Sequence, residues 1–374
     1  MDTQANGHHH EHVSPPISIS RVRRDGQVER LGQWLHDERV LELEREGFPF
    51  LGPGRHQLEG ELPWIFWDMC PSGYLGRRLQ SRMPALRLAD NPRDWMAADV
   101  LRALSLAGGD LAGNLLIGDE AVTTFRDVLF DSTDFASAFE AAMRDSVLTG
   151  SPSSLGGERP KVLWSDGDSA QLAKFAPPPG SPQGQRWSDL LRMEALCSTT
   201  LRLSGVSAVV SEARENLGRT MLFVERFDRL PNRGRVGVGT LFWLAMDRWG
   251  DVALSAPEVM ARLNTEGLVD ANSVEVCTKV HAFSAAIGNN DAHLGNYGLL
   301  FDDAGRATLA PIYDVLPMAL APSNDELPDA WLTPRTAPVA PSIAPWVDAL
   351  VRAVQADAEI SGDFKALWRH HIGV

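Results

Sequence analysis

Two acidic motifs constrain this chain more than any other feature: NNDAHLGNYGLLF at 289–301 and APIYDVLP at 310–317. The first follows an apolar helical pattern and sets Asp291 and Asn296 five residues apart. Phosphoryl transfer needs a carboxylate to orient or deprotonate an attacking hydroxyl, and a nearby oxygen ligand for Mg²⁺. The D-x-x-x-x-N spacing offers both from one tight loop. Asp314 lies 23 residues beyond Asp291, after a predicted hairpin of strands 297–301 and 306–310 around the turn DDAG. A hairpin brings the chain back to the end it left, so Asp314 can face Asn296 across a metal. The competing readings are a helix or turn cap for Asp291 and a turn acid for Asp314.

Other candidates lie upstream. Lys174 sits in the strand pattern LAKF, whose apolar neighbours would bury its stem, and Glu194 in the helix LLRMEAL is placed to pair with it. A buried lysine needs such a partner, and the pair would hold ATP phosphates. The alternatives are an edge-strand lysine and a solvated glutamate. In SPSSLGGERPK at 151–161, Gly156 and Gly157 would let backbone N–H groups approach a phosphate, and Lys161 adds charge. The loop has neither standard glycine-rich spacing, so it is weak alone. FVERFDR at 223–229 ends a strand where two lobes would meet. There the backbone from Glu225 to Phe227 can pair with adenine, or Asp228 and its arginines can form an inter-lobe ion cluster.

Length and composition narrow the class. With 374 residues the chain exceeds one ordinary domain, at roughly 100–200 residues each. No run reaches the ~18–20 apolar residues of a membrane span, and the polar start reads as neither signal peptide nor anchor. Cys70, Cys197 and Cys277 are too far apart for a metal site and suit free thiols in a reducing cytoplasm. A net charge of −14 argues against direct nucleic-acid binding, with local basic patches at 21–24 and 77–82 as the exceptions. The histidines at 8–10 and 12 read as part of a tail rather than a metal site.

Along the chain, strands are predicted at 17–22, 27–31 and 40–43, helical patterns within 62–83 and at 94–106, and strand again through 110–125. Strands at 162–164 and 171–175 precede a Pro/Gly loop at 177–185, a helix at 188–203 and strands at 207–212 and 220–227. Helical spacing dominates beyond 238, clearest at 256–263 and 273–287. After a Pro-rich stretch at 321–345, one last helix is predicted over 344–372.

The ordered set GGERPK, LAKF, MEAL, VERFDR, NNDAHLGNYGLL and APIYDVLP resembles the HipA-like kinases of bacterial toxin–antitoxin systems, over residues 151–317. RVRRDGQVERLGQW, FWDMCPSGYLGRRL and DLAGNLLIG resemble that family's N-terminal subdomain, and DVLPMALAPSNDE is nearest the YjjJ-related subgroup. The resemblance implies an α+β, protein-kinase-like, two-lobed fold with a β-rich N-terminal part and a helical C-terminal lobe. Its units would be a tail at 1–16, an N-terminal α+β unit at 17–148, a β-rich N-lobe at 149–236 and a helical C-lobe at 237–374. It implies Asp291 as catalytic base, Asn296 and Asp314 as Mg²⁺ ligands, Lys174 with Glu194 on the ATP phosphates, and Glu225 with Phe227 at the adenine hinge. Ser154, with Ser153 second, matches the loop serine that family members autophosphorylate. The implied substrate is a cytosolic protein such as an aminoacyl-tRNA synthetase, and the implied partner a helix-turn-helix antitoxin. No such DNA-binding segment stands out here, so operator contact would fall to that partner. Asp291, His293 and Asn296 also fit aminoglycoside or choline phosphotransferases. The 23-residue interval, the ERFDR element and the N-terminal unit favour the HipA-like reading. A partner-binding pseudokinase is countered by retention of Lys174, Asp291, Asn296 and Asp314.

Overall fold

Runs of alternating and β-branched residues between turn formers build three antiparallel sheets. The structure, a computed structural model, describes residues 14–70, 76, 79, 83–127, 135–148, 161–165, 169–323, 326–330 and 332–373. The first sheet has the order β4-β3-β2-β1-β5, from β1 (Ile17–Val22), β2 (Val28–Leu35), β3 (Val40–Leu43), β4 (Gly54–Gln57) and β5 (Leu115–Ile117). Central β1 is covered on both faces. Ile19 enters the main core, which α1 (Trp64–Met69) and α2 (Ala97–Ala107) help to close, and Val22 packs with Leu116, Ala121 and Phe125 of α3 (Asp119–Asp127). Arg21, read from sequence as part of a basic patch, is instead buried and paired with Glu29 at 2.8 Å.

The second sheet, β6-β7-β9-β8, contains β6 (Lys161–Ser165), β7 (Ala170–Phe175), β8 (Ser211–Asn216) and β9 (Arg219–Glu225). Phe139 of α4 (Phe135–Leu148) packs with Val162, Ala173, Phe175, Met221 and Phe223 of this sheet. The long α5 (Pro182–Leu203) contacts β7, β8 and β9 as well. The third sheet, β10-β11-β12, joins β10 (Gly237–Thr240) to the hairpin β11 (Gly298–Phe301) and β12 (Ala307–Leu309). Around it lie α6 (Leu241–Trp249), α7 (Ala256–Thr265), α8 (Ala271–Ile287), α9 (Ala344–Ala356) and α10 (Gly362–Ile372). This is the two-lobed α+β architecture, with two of the three sheets before residue 237 and α6–α10 around the third beyond it.

Four local expectations change. Residues 119–127 are helical, because Gly118 ends the strand at φ +87° and Ala121 and Phe125 then bury at helical spacing. The helix before Glu194 starts at Pro182 rather than near 188. Ser181 caps it by accepting from the Gly184 N–H at 3.0 Å, and proline suits a first turn. Residues 237–240 form a strand, paired with β11, that two glycines had hidden. The last helix is two: Asp357 turns extended, its carboxylate accepts from the Glu359 and Ile360 N–H groups, and Ser361 caps α10.

Candidate active site

Alternation in β7 sends Ala173 and Phe175 into one core and turns Lys174 to the opposite face, towards α5. Its Nζ lies 2.7 and 3.0 Å from the two Glu194 carboxylate oxygens and 2.6 Å from Asp314 Oδ1. One ammonium therefore serves two carboxylates. Burial alone would depress the lysine pKa, but Asp314 and Glu194 hold it above its ordinary value. The Glu194 side chain is only 5% exposed, against 39% for Asp314. Desolvation accordingly prevails at Glu194 and pushes its carboxyl up to about 7, against the pull of Lys174. At Asp314 desolvation is outweighed by Lys174, and the carboxyl stays below its ordinary value. Lys161 faces Lys174 in the β6–β7 register and adds positive charge near both acids.

The motif 289–301 forms a tight loop after α8, which ends at Gly288 in the left-handed region. Buried Asn289 accepts the Asp291 N–H at 3.0 Å, and Asn296 Nδ2 donates to the Asp291 carbonyl at 2.7 Å. The side-chain amide of Asn296 is thereby oriented, leaving its oxygen as the outward acceptor. His293 Nδ1 accepts the Gly295 N–H at 3.0 Å, so in a neutral ring the proton sits on Nε2, 3.9 Å from Asp291 Oδ1. The Asp291 carboxyl is raised by partial burial and by the charge of Asp314, opposed by His293. That suits a proton acceptor better than a fully solvated acid would.

The hairpin β11–β12 carries the chain from this loop to Asp314. Tyr313 donates to the Gly295 carbonyl at 3.0 Å, tying the two motifs together. The segment is also pinned to the other lobe, since Val209 N–H donates to the Ile312 carbonyl at 2.9 Å and Ile312 N–H to the Ser207 carbonyl at 2.8 Å. Asp314 has φ +58°, a left-handed conformation that Asp and Asn tolerate better than most side chains. With Oδ1 on Lys174, its other oxygen and the Asn296 amide oxygen are hard donors of the type Mg²⁺ takes. Mg²⁺ is commonly held by one or two protein oxygens together with phosphates, and these two residues fit that pattern.

Phe227 stacks on Tyr313, with ring centroids 5.9 Å apart and planes 27° apart, which brings the hinge segment beside the Asp314 motif. The Glu225 N–H is committed to Val210 O at 2.9 Å and the Arg226 N–H to Ala170 O at 2.8 Å. Phe227 therefore supplies the N–H that a base edge could use. Asp228 points elsewhere: it binds Arg226, Arg229 and the Gly113 N–H at 2.9 Å, while Arg229 reaches Asp110. An ion cluster does form in that segment, but it joins 226–229 to the N-terminal unit and not one lobe to the other. Ser153, Ser154, Gly156 and Gly157 lie outside the described residues. Sequence reasoning missed Tyr313, although an aromatic hydroxyl beside a candidate metal ligand was a visible signal.

A two-lobed α+β chain with a buried lysine–glutamate pair in one lobe, met there by an aspartate of the other, has the architecture of a kinase-like protein. Residues 13–126 match the family model "YjjJ-like toxin, middle domain", and residues 153–357 match "HipA-like C-terminal domain". Toxin YjjJ of Escherichia coli (strain K12) is 32% identical over 284 residues, which is 72% of this chain. The chain spans 63% of that relative's length. Among solved structures, HipA of Shewanella oneidensis MR-1, in complex with HipB and operator DNA, superposes with a TM-score of 0.60 at 15% identity. That match covers 96% of this chain and 95% of that one. The chain belongs to the HipA-like family, in its YjjJ-related branch. Among the described residues no helix is long and apolar enough to cross a membrane.

Proposed function

We propose that this chain is a cytoplasmic, ATP- and Mg²⁺-dependent serine/threonine kinase that acts as the toxin of a toxin–antitoxin pair. The observation that carries the reading is Lys174 held between Glu194 and Asp314, with Asp314 tied through Tyr313 to the loop of Asp291 and Asn296.

In this reading Lys174, steadied by Glu194, presents its ammonium to the nucleotide phosphates. Lys161 adds charge, and the loop of Gly156 and Gly157 closes over the anion. Phe227 donates its N–H to adenine, and the neighbouring Glu225 carbonyl accepts from it. Asp291 orients the substrate hydroxyl and takes its proton as the γ-phosphoryl group moves to oxygen. Asn296 and Asp314 would hold Mg²⁺, which when bound neutralises charge on the phosphates. The substrate is a serine or threonine of a cytosolic protein, with an aminoacyl-tRNA synthetase as the first to test. A helix-turn-helix antitoxin would restrain the enzyme and carry any DNA contact, a reading supported by the HipB complex of the Shewanella relative. Phosphorylation at Ser154, or at Ser153, would put about two negative charges beside the nucleotide phosphates and expel the loop.

The test is incubation of the purified chain with γ-labelled ATP, Mg²⁺ and a cell lysate, followed by identification of labelled proteins. Transfer to a discrete protein supports the reading. Label only on small molecules, or none with any lysate fraction, overturns it.

A further inference from the structure

The N-terminal unit grips the hairpin that joins Asn296 to Asp314, and it does so at both ends. At the tip, Arg21 Nη1 donates to the Asp303 carbonyl at 2.9 Å, and the Phe50 N–H donates to the Gly305 carbonyl at 3.1 Å. Gly305 sits at φ +75°, and a Cβ there would meet the Phe48 carbonyl oxygen at 2.3 Å. The Phe50 ring packs edge-on against Phe301, centroids 5.2 Å apart.

At the root, the grip is made by Asp68 of α1. Its carboxylate accepts the Thr240 N–H at 2.7 Å and also the Thr240 hydroxyl. Thr240 is at once the last residue of β10 and the N-cap of α6, yet its side chain makes no capping bond to that helix. Its hydroxyl goes outward to Asp68 instead, which sets that carboxylate at the positive end of α6. Thr240 pairs with Gly298 in the β10–β11 ladder, and the Leu241 N–H donates to the Tyr297 carbonyl at 2.9 Å. These are the two residues immediately after Asn296. Behind them α1 is pressed so close that a Cβ on Gly239 would lie 2.6 Å from the Trp64 ring. The path is therefore continuous, from Asp68 through Thr240 and the β10–β11 ladder to the loop bearing Asp291 and Asn296.

We propose that Asp68 is a positioning residue for the catalytic loop, so that the N-terminal unit is an integral part of the active centre and not an appendage to it. The inference rests on the kinase reading for its catalytic consequence, but the mechanical link from Asp68 to residues 294–301 stands on geometry alone. Asp68 acts through Thr240 and touches no substrate. Its loss should loosen the alignment of Asp291 and Asn296 while leaving Lys174, Glu194 and the hinge, which lie on other elements, in place.

The experiment compares the full chain with Asp68→Ala, Asp68→Asn and Thr240→Val by steady-state kinetics and amide hydrogen exchange. Asp68→Ala is expected to lower kcat about tenfold or more, since small misplacements of reacting groups are costly. KM for ATP should rise by much less than kcat falls, because the Lys174 and hinge contacts are untouched and only Asn296 of the proposed Mg²⁺ ligands is loosened. Exchange over residues 294–301 should accelerate at least about tenfold, with Ala170–Phe175 unchanged. Asp68→Asn keeps one acceptor oxygen and should recover much of both, and Thr240→Val, which keeps the N–H, should fall between. Wild-type exchange over 294–301 in Asp68→Ala overturns the proposal. So does faster exchange spread over the whole chain with kcat per folded molecule unchanged. If Asp68→Ala does not fold, Asp68→Asn and Thr240→Val decide by the same readouts. If the wild-type chain transfers no phosphate, the kinase reading fails, and the exchange data alone decide the positioning role.

Discussion

Lys174→Met isolates the interaction that organises the site. The substitution keeps most of the side-chain volume and removes the charge shared by Glu194 and Asp314. Burial already pushes Glu194 up to about 7, from 4.5, with the ammonium present. At about 1.4 kcal/mol per pKa unit, keeping this carboxylate ionised above pH 7 costs the folded wild type about 3 kcal/mol. Breaking a buried ion pair from one side costs roughly 3–5 kcal/mol. Lys174→Met should therefore lose about 3 kcal/mol at pH 8, a large part of a typical total of roughly 5–15 kcal/mol. The sign of the pH dependence follows from the raised folded pKa. Between the unfolded value of 4.5 and the folded value, the folded state binds more protons, so its stability falls as pH rises through that window. Removing the lysine raises Glu194 further, so the deficit of Lys174→Met should be largest at pH 8 and shrink towards pH 5. Adding Glu194→Gln removes the stranded charge and should restore much of the loss. Urea unfolding followed by fluorescence of the 11 tryptophans measures each variant. A deficit under about 1 kcal/mol at pH 8, or no recovery in the double variant, would refute the shared-lysine account.

Three further outcomes are expected. Asp314→Asn tolerates the left-handed backbone of residue 314 but removes a charge from the proposed cation site, so calorimetry should show weaker Mg·ATP affinity with the fold intact. Incubation with Mg·ATP should add phosphate within residues 151–161, at Ser154 before Ser153, and lower subsequent ATP binding; intact-mass and peptide spectra read this out, and Asp291→Ala is the control. Asp228→Ala leaves buried Arg226 and Arg229 with Asp110 as their remaining carboxylate partner and should cost about 3 kcal/mol, the low end for breaking a buried pair. In the wild type, Arg229 and Arg226 overcome burial and hold the Asp228 carboxyl well below the carboxylate range. Its contribution should be complete above the ordinary carboxylate pKa and fade from there down towards the much lower folded value, so unfolding midpoints at pH 7 and pH 3 would show the onset of the loss.

Much of this arrangement was legible because it is local. The D-x-x-x-x-N loop, the hairpin turn DDAG and the apolar flanks of Lys174 each carry their own pattern. What stayed hidden depends on residues far apart in sequence. Nothing near Lys174 announces that Asp314, 140 residues on, lies 2.6 Å away, because the ammonium is shared only once both lobes have packed. Asp68 and Thr240 are separated by 172 residues; the first lies in a segment that reads simply as apolar helix, and the second in a strand that its glycines conceal. Residues 119–127 misled for a different reason. β-Branched Val122, Thr123 and Thr124 mimic a strand locally, while the burial of Ala121 and Phe125 decides for helix.

The central claim is that Asp291 performs phosphoryl transfer and Lys174 with Glu194 binds the nucleotide. It is tested most directly by measuring, on the same preparations of wild type and Asp291→Ala, both the single-turnover transfer of labelled γ-phosphate to protein and the affinity for Mg·ATP. The account predicts transfer by the wild type, loss of at least about a hundredfold in Asp291→Ala, and ATP affinity unchanged within about threefold. Transfer at the wild-type rate by Asp291→Ala, or ATP affinity lost together with transfer, would contradict it.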